Sequence, residues 1–152
     1  MRCYNGVMSR ATPLRVVVDT NVVFEGLTYQ GNAAGLIVEA WLANLFQPCV
    51  SNALAYEYVD VLSRKLSPER WQKLQPVLGK LLSISQFTPI YYSWRPTSPD
   101  SGDDFLVDCA MNAGAAIVTS NLKDLKIAQT SLGLLVLTPA ELVIKLATER
   151  SS

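Results

Sequence analysis

Val16-Val17-Val18-Asp19-Thr20-Asn21 is the stretch on which the fold turns. Its valines form a short β-branched run, the pattern of a strand buried on both faces. An unpaired carboxylate is costly in a core, so Asp19 cannot continue that strand. The reading is a strand that ends at Asp19 and delivers its acid to an exposed rim. In open parallel sheets, the rim at the strands' carboxyl ends is where ligands bind.

Outward from this point, strand-like and helix-like segments alternate. Residues 26–32 form a polar, glycine-bearing loop. Leu36, Ile37, Ala40, Trp41 and Leu45 make a helical stripe over 33–45. Residues 45–50 read as a second strand, with Pro48 suggesting an edge position or a strand start. Ser51 or Asn52 caps a helix through Leu54, Tyr58, Val61 and Leu62. Ser67-Pro68 starts another, in which Pro76 implies a kink or a break. Residues 87–92 read as a third strand and 95–102 as a loop. A helix over 103–113 is ended by Gly114. Residues 116–119 form a fourth strand, 120–123 a short helical piece and 134–137 a fifth strand. Thr138, Pro139 and Glu141 give the last helix a capping-box start. This order implies a parallel sheet with helices on both faces.

The chain has 152 residues, 49% hydrophobic and 17% charged, which suits one domain with a sizeable core. Residues 1–13 read as a loose leader without the apolar region of a secretory signal. No apolar run has the length of a membrane span. Cys3, Cys49 and Cys109 lack metal-ligand spacing and read as reduced thiols of a cytoplasmic protein. There is no histidine, which excludes Ser-His-Asp and Cys-His catalysis and most zinc enzymes. The formal net charge is zero, so nothing marks a dedicated binder of phosphate backbones; a nuclease with a local basic rim is compatible with it.

Acids recur where this layout reaches the carboxyl rim. Asp19 ends the first strand, and Glu57 lies on the helix after the second. Asp100, Asp103 and Asp104 crowd the junction after the third; Asn121 and Asp124 follow the fourth. Asp108 is one helical turn beyond Asp104 and could line the same side. Taken singly, each acid has a plainer role as a turn residue, helix cap or solvated charge. Together they would repel one another unless cations or protons intervene. With oxygen ligands alone, the expected cation is Mg²⁺ or Mn²⁺. Such an ion lowers the pKa of water and neutralises charge on a phosphate and its leaving oxygen.

The chain also resembles a known family. Residues 16–21, Ser51 with Glu57, Val61-Leu62-Ser63-Arg64, Asp103-Asp104-Phe105, residues 116–121 with Asp124, and Thr138-Pro139-Ala140-Glu141 look like PIN-domain proteins. Among these, the toxin components of bacterial toxin–antitoxin systems are the nearest in pattern. The resemblance runs from Arg15 to Leu146. It implies a single domain over 14–148, with 149–152 as a C-terminal tail. Its fold would be a three-layer α/β/α sandwich around a mostly parallel five-stranded sheet. It further implies Mg²⁺- or Mn²⁺-dependent cleavage of RNA to 5′-phosphate and 3′-hydroxyl ends.

Carried over by position, Asp19, Glu57 and Asp104 would be the catalytic acids and metal ligands. Asp103, Asn121 and Asp124 would be further candidate ligands. Adjacent helical residues point about 100° apart, so Asp103 and Asp104 cannot both face the metal equally; the family pattern favours Asp104. Thr20 and Asn21 would support Asp19 by hydrogen bonds, with Asp108 behind. Lys123, Lys126, Arg64 and Lys65 are candidate phosphate contacts, although each reads first as a solvated charge. A cognate antitoxin is the implied protein partner. Tyr29, Trp71 and Trp94 could serve that interface or a homodimer, although Trp71 sits on a core stripe. No membrane association is expected.

Other readings compete. A phosphotransferase with a nucleophilic aspartate would want a second Asp where Asn21 stands. A receiver domain would want an acidic pair before Val16. No GxxxxGK[ST] loop exists. A PIN-like module that binds RNA or protein without cutting is compatible with the neutral charge and with Asn121.

Overall fold

The computed structural model describes residues 13–29, 31–93 and 101–151. The expected leader, except Pro13, lies outside them, as do Cys3, Trp94 and Asp100. The elements run β1 (Arg15–Val18), α1 (Thr20–Thr28), α2 (Ala33–Leu42), β2 (Gln47–Val50), α3 (Asn52–Lys65) and α4 (Pro68–Ser83). Then come β3 (Gln86–Phe87), α5 (Ser101–Ala113), β4 (Ala116–Val118), a 3₁₀ turn (Lys123–Leu125), α6 (Lys126–Leu132), β5 (Val136–Leu137) and α7 (Pro139–Ser151). The five strands pair in the order β3-β2-β1-β4-β5, all parallel. This is a three-layer α/β/α fold. Among the described residues no helix is long and apolar enough to cross a membrane.

β1 lies at the centre, and Val16, Val17 and Val18 are buried as their unbroken apolar run requires. α5 packs across β1, β2 and β4, and α7 returns to pack on α2. Trp41 of α2 ties that helix to α3 and α4. It is fully buried, meets Phe46 and Tyr58 edge to face, and donates its ring N–H to the Leu81 carbonyl and Ser85 Oγ, both at 3.1 Å.

The caps are as the sequence implies. Ser51 and Ser67 accept from the amides of Leu54 and Arg70. Thr138 and Glu141 bond reciprocally, at 2.8 and 3.1 Å. Gly114 adopts φ +63° after α5.

Several expectations are corrected. Residues 20–28 form a helix, so Gly26, Leu27 and Thr28, expected in a loop, belong to α1. α2 stops at Leu42, because Asn44 turns left-handed at φ 60°. The third strand is only Gln86–Phe87. Beyond it the backbone turns to Asn112 on α5, whose side-chain oxygen accepts from the Tyr91 and Tyr92 amides. Pro76 does not break α4; Pro76 and Gln72 are exposed, so the carbonyl left without a donor faces water. Pro48 is not on an edge strand; it lies at the start of an inner one, the other alternative. It is tolerated because β3 pairs with β2 only from Cys49 onward. The short helical piece expected at 120–123 instead comprises the 3₁₀ turn and α6. The fifth strand covers only the end of 134–137, and α7 continues into residues expected as a tail.

Gly26 marks where α1 and α2 touch: a Cβ there would lie 2.5 Å from both the Ala34 carbonyl oxygen and Val38 Cγ2. Gly79, exposed on α4, has open space around it. The two glycines should therefore respond oppositely to alanine. Gly79→Ala is expected to stabilise by about 0.5–1 kcal/mol. Gly26→Ala should destabilise despite the same gain in helix propensity, because backbone must move. Urea unfolding of both variants checks the signs.

Candidate active site

The strand order reverses between β1 and β4, and ligand crevices form at such a switch point. Val18 pairs with Val118 as the last rung of this seam. Asp19 and Thr119 are the next residue on each strand. The Asp19 amide donates to the Val118 carbonyl at 2.9 Å, and Thr119 Oγ1 donates to Asp19 Oδ2 at 2.7 Å. Asp19 is 8% exposed and Thr119 fully buried. Asp19 is also the N-cap residue of α1, and its carbonyl accepts from the Val22 and Val23 amides. Its carboxylate makes no capping bond. The commonplace role of a post-strand aspartate is thus left to the backbone, and the side chain spans the seam instead.

Glu57 reaches the same junction from α3. It is half-buried, and its Oε2 accepts from Thr20 Oγ1 at 2.6 Å. Thr20, expected to support Asp19, is therefore bonded to Glu57, while the hydroxyl on Asp19 comes from Thr119. Asn21 is exposed and has no side-chain hydrogen bond among the described residues. Tyr58, next to Glu57, is fully buried and its hydroxyl donates to the Val18 carbonyl. Burial raises its phenol well above the ordinary tyrosine value, with Cys109, Asp19 and Glu57 adding to the rise.

Asp104 and Asp108 lie one turn apart on α5 and are both buried. Asp103 belongs to the same helix, but its side chain lies outside the described residues. Asn121 is exposed and Asp124 half-buried; Asn121 Nδ2 donates to Asp124 Oδ2 at 2.7 Å. The Asn121 amide donates to Thr119 Oγ1 at 3.0 Å, so one hydroxyl joins Asp19 to the loop after β4.

Lys123 and Lys126 are exposed next along the chain from that loop. Arg64 is elsewhere, on the last turn of α3, roughly 10 Å along the helix from Glu57. It is held by Asp60 at 3.1 Å. Lys65 lies 5.1 Å over the Phe24 ring.

The donor set is oxygen alone: carboxylates, an amide and hydroxyls. That chemistry fits a hard divalent cation. Among the described residues, no three His, Cys, Asp or Glu side chains form a metal-holding group by themselves. Asp19 and Glu57 meet at the β1–α1 junction, and Asp104 is carried by the helix packed across β1, β2 and β4. Sequence reasoning missed Thr119 and Tyr58. Thr119 follows its strand as Asp19 does, a signal visible once the strands are aligned without stagger. Tyr58 fits an apolar helical stripe, which hides the use of its hydroxyl.

A profile of the PIN domain matches residues 15–123. Comparison with curated proteins gives no match. Among solved structures, VapBC2 from Rickettsia felis bound to a promoter DNA fragment is 14% identical with a TM-score of 0.59; the match covers 82% of this chain and 98% of that one. FitAcB from Neisseria gonorrhoeae is 14% identical at a TM-score of 0.55, covering 82% and 97%. FitAB bound to an IR36 DNA fragment is 15% identical at 0.57, covering 82% and 94%. At these identities the likeness shows the fold.

Two expectations follow from the geometry. Thr119→Val keeps the shape but removes the donor to a buried carboxylate; unfolding should show a loss of about 1–3 kcal/mol. The second concerns pH. Burial pushes the Cys109 thiol from 9.0 up to about 12, with Cys49 adding to it. Below pH 9 the thiol is neutral in both folded and unfolded chains, and its contribution to stability is complete. Above that the unfolded chain releases the proton first, so stability falls as pH rises toward 12. Urea midpoints measured from pH 8 to 11 should decline, and Cys109→Ala should make the decline shallower.

Proposed function

The chain belongs to the PIN domain family, and from that premise we propose that it is a Mg²⁺- or Mn²⁺-dependent endoribonuclease, the toxin of a toxin–antitoxin pair. The observation that carries this is the Asp19 carboxylate: placed at the switch point, unused as a helix cap, and bonded to Thr119. Glu57 joins it through Thr20.

Asp19, Glu57 and Asp104 would hold the cation, with Asp103, Asn121 and Asp124 as further oxygen donors. When bound, the ion supplies charge neutralisation at the phosphodiester and a lowered pKa for water. The protein's own groups fix the geometry. Thr119 orients one oxygen of Asp19, and Thr20 orients one oxygen of Glu57. Asp108, buried one turn from Asp104 on the same helix, would support it from behind. Lys123 and Lys126, exposed on either side of Asp124 in the chain, suit the RNA backbone. Arg64, tied to Asp60 on the far turn of α3, is the weaker candidate for that role.

The implied protein partner is an antitoxin. Tyr29, 58% exposed just after α1, is available to it or to a second copy in a homodimer. Trp71 packs against the core instead. Cys49 and Cys109 are buried free thiols, which suits a cytoplasmic protein.

A second reading is a binding module that does not cut. Asn121 favours it: an amide replaces an acid at the fourth position and spends its N–H on Asp124. Cleavage of single-stranded RNA with Mn²⁺, compared between the native chain and Asp19→Asn, separates the two. The native chain should yield 5′-phosphate ends, lose activity with a chelator, and lose it to background in Asp19→Asn. Equal cleavage by both proteins refutes the nuclease reading. Absence of calorimetric Mn²⁺ binding at millimolar concentration supports the binding module.

A further inference from the structure

Val18, Asp19 and Thr20 are each bonded to a different residue. Thr20 donates to Glu57, Thr119 donates to Asp19, and the Val18 carbonyl accepts from Tyr58. Glu57 and Tyr58 are successive residues of α3, so one turn of that helix grips the residue before Asp19 and the residue after it. The Val18 bond replaces a sheet rung. The Gln47 amide bonds the Leu14 carbonyl, but β2 ends at Val50 and the chain turns into α3 at Ser51. The Tyr58 hydroxyl takes the last carbonyl of β1 instead.

Neighbouring side chains on a helix diverge by about 100°, which lets Glu57 face the rim while Tyr58 enters the core. The Tyr58 ring is fully buried and meets Trp41 edge to face at 6.5 Å between centroids. A hydroxyl so enclosed, and already donating, cannot touch a substrate.

We infer that Tyr58 is a positioning residue: through the Val18 carbonyl, its hydroxyl holds the β1–α1 turn so that the Asp19 carboxylate stays fixed at the rim. The consequence for catalysis rests on the reading of Asp19 as a metal ligand. A merely structural tyrosine would lower overall stability when truncated. A positioning tyrosine also loosens one turn selectively.

The test combines amide hydrogen exchange with Mn²⁺ calorimetry on the native chain, Tyr58→Phe, Thr20→Val and Ser67→Ala. The relevant amides are Asp19, bonded to the Val118 carbonyl, and Val22 and Val23, bonded to the Asp19 carbonyl. In Tyr58→Phe these should exchange about tenfold faster than any change common to the whole protein. Mn²⁺ affinity should fall by about tenfold, the loss expected when a metal ligand's support is removed. Ser67→Ala removes the cap of α4, at the far end of α3 from the turn, and should lower stability with neither local effect. Exchange and affinity in Tyr58→Phe like the native chain's overturn the inference, as does an equal local effect in Ser67→Ala. If Tyr58→Phe does not fold, Thr20→Val decides. With the Tyr58 bond intact, the turn amides should keep their protection; a tenfold loss there would assign the grip to Thr20 and Glu57. A native chain that binds no Mn²⁺ refutes the nuclease reading, and the exchange data still decide whether Tyr58 holds the turn.

Discussion

A carboxylate set immediately after a fully buried strand needs hydrogen-bond donors, and the bond from Thr119 to Asp19 meets that need. The rest of the rim is arranged around it. The Asp19 amide closes the β1–β4 ladder, its carbonyl starts α1, and its side chain crosses the seam. One residue therefore ends a strand, begins a helix and presents an acid. No loop intervenes, so the position of the acid is set by the packing of β1 rather than by a mobile segment.

The same economy recurs around Asp19. Thr20 and Glu57 join α1 to α3, and Thr119 Oγ1 serves both Asp19 and the Asn121 amide. Asp19 and Glu57, which would repel one another if free, are each tied to a neutral hydroxyl. Hydroxyls stabilise a carboxylate without cancelling its charge, so the rim keeps negative potential for a cation. An arginine in their place would hold the acids equally well and cancel the charge that the proposed cation site needs.

Much of the fold was legible because it follows from local rules. The valine run, the Ser51 and Ser67 caps, the Thr138–Glu141 box and the Gly114 stop are each decided within a few residues. What was not legible depends on tertiary packing. Residues 20–28 contain β-branched residues and a glycine, poor helix formers alone. They become helical because Val22 and Val23 are buried and Gly26 lets α2 approach. The third strand read too long because residues 88–92 look strand-like, whereas Asn112 supplies the acceptor for the Tyr91 and Tyr92 amides. In the candidate site, Asp19, Glu57 and Asp104 stood out as acids after successive strands. Thr119 and Tyr58 did not, since a threonine after a strand and a tyrosine on an apolar stripe are ordinary until their hydroxyls find partners.

The Asp19–Thr119 bond joins residues 100 positions apart. Asp19 and Glu57 leave the ribosome early, but the hydroxyl that orients Asp19 is made only once β4 has been synthesised. A one-residue slip of β4 against β1 would turn Thr119 to the opposite face. Assembly of the rim is thereby coupled to completion and correct register of the sheet, and partly made or misthreaded chains carry the acids without it.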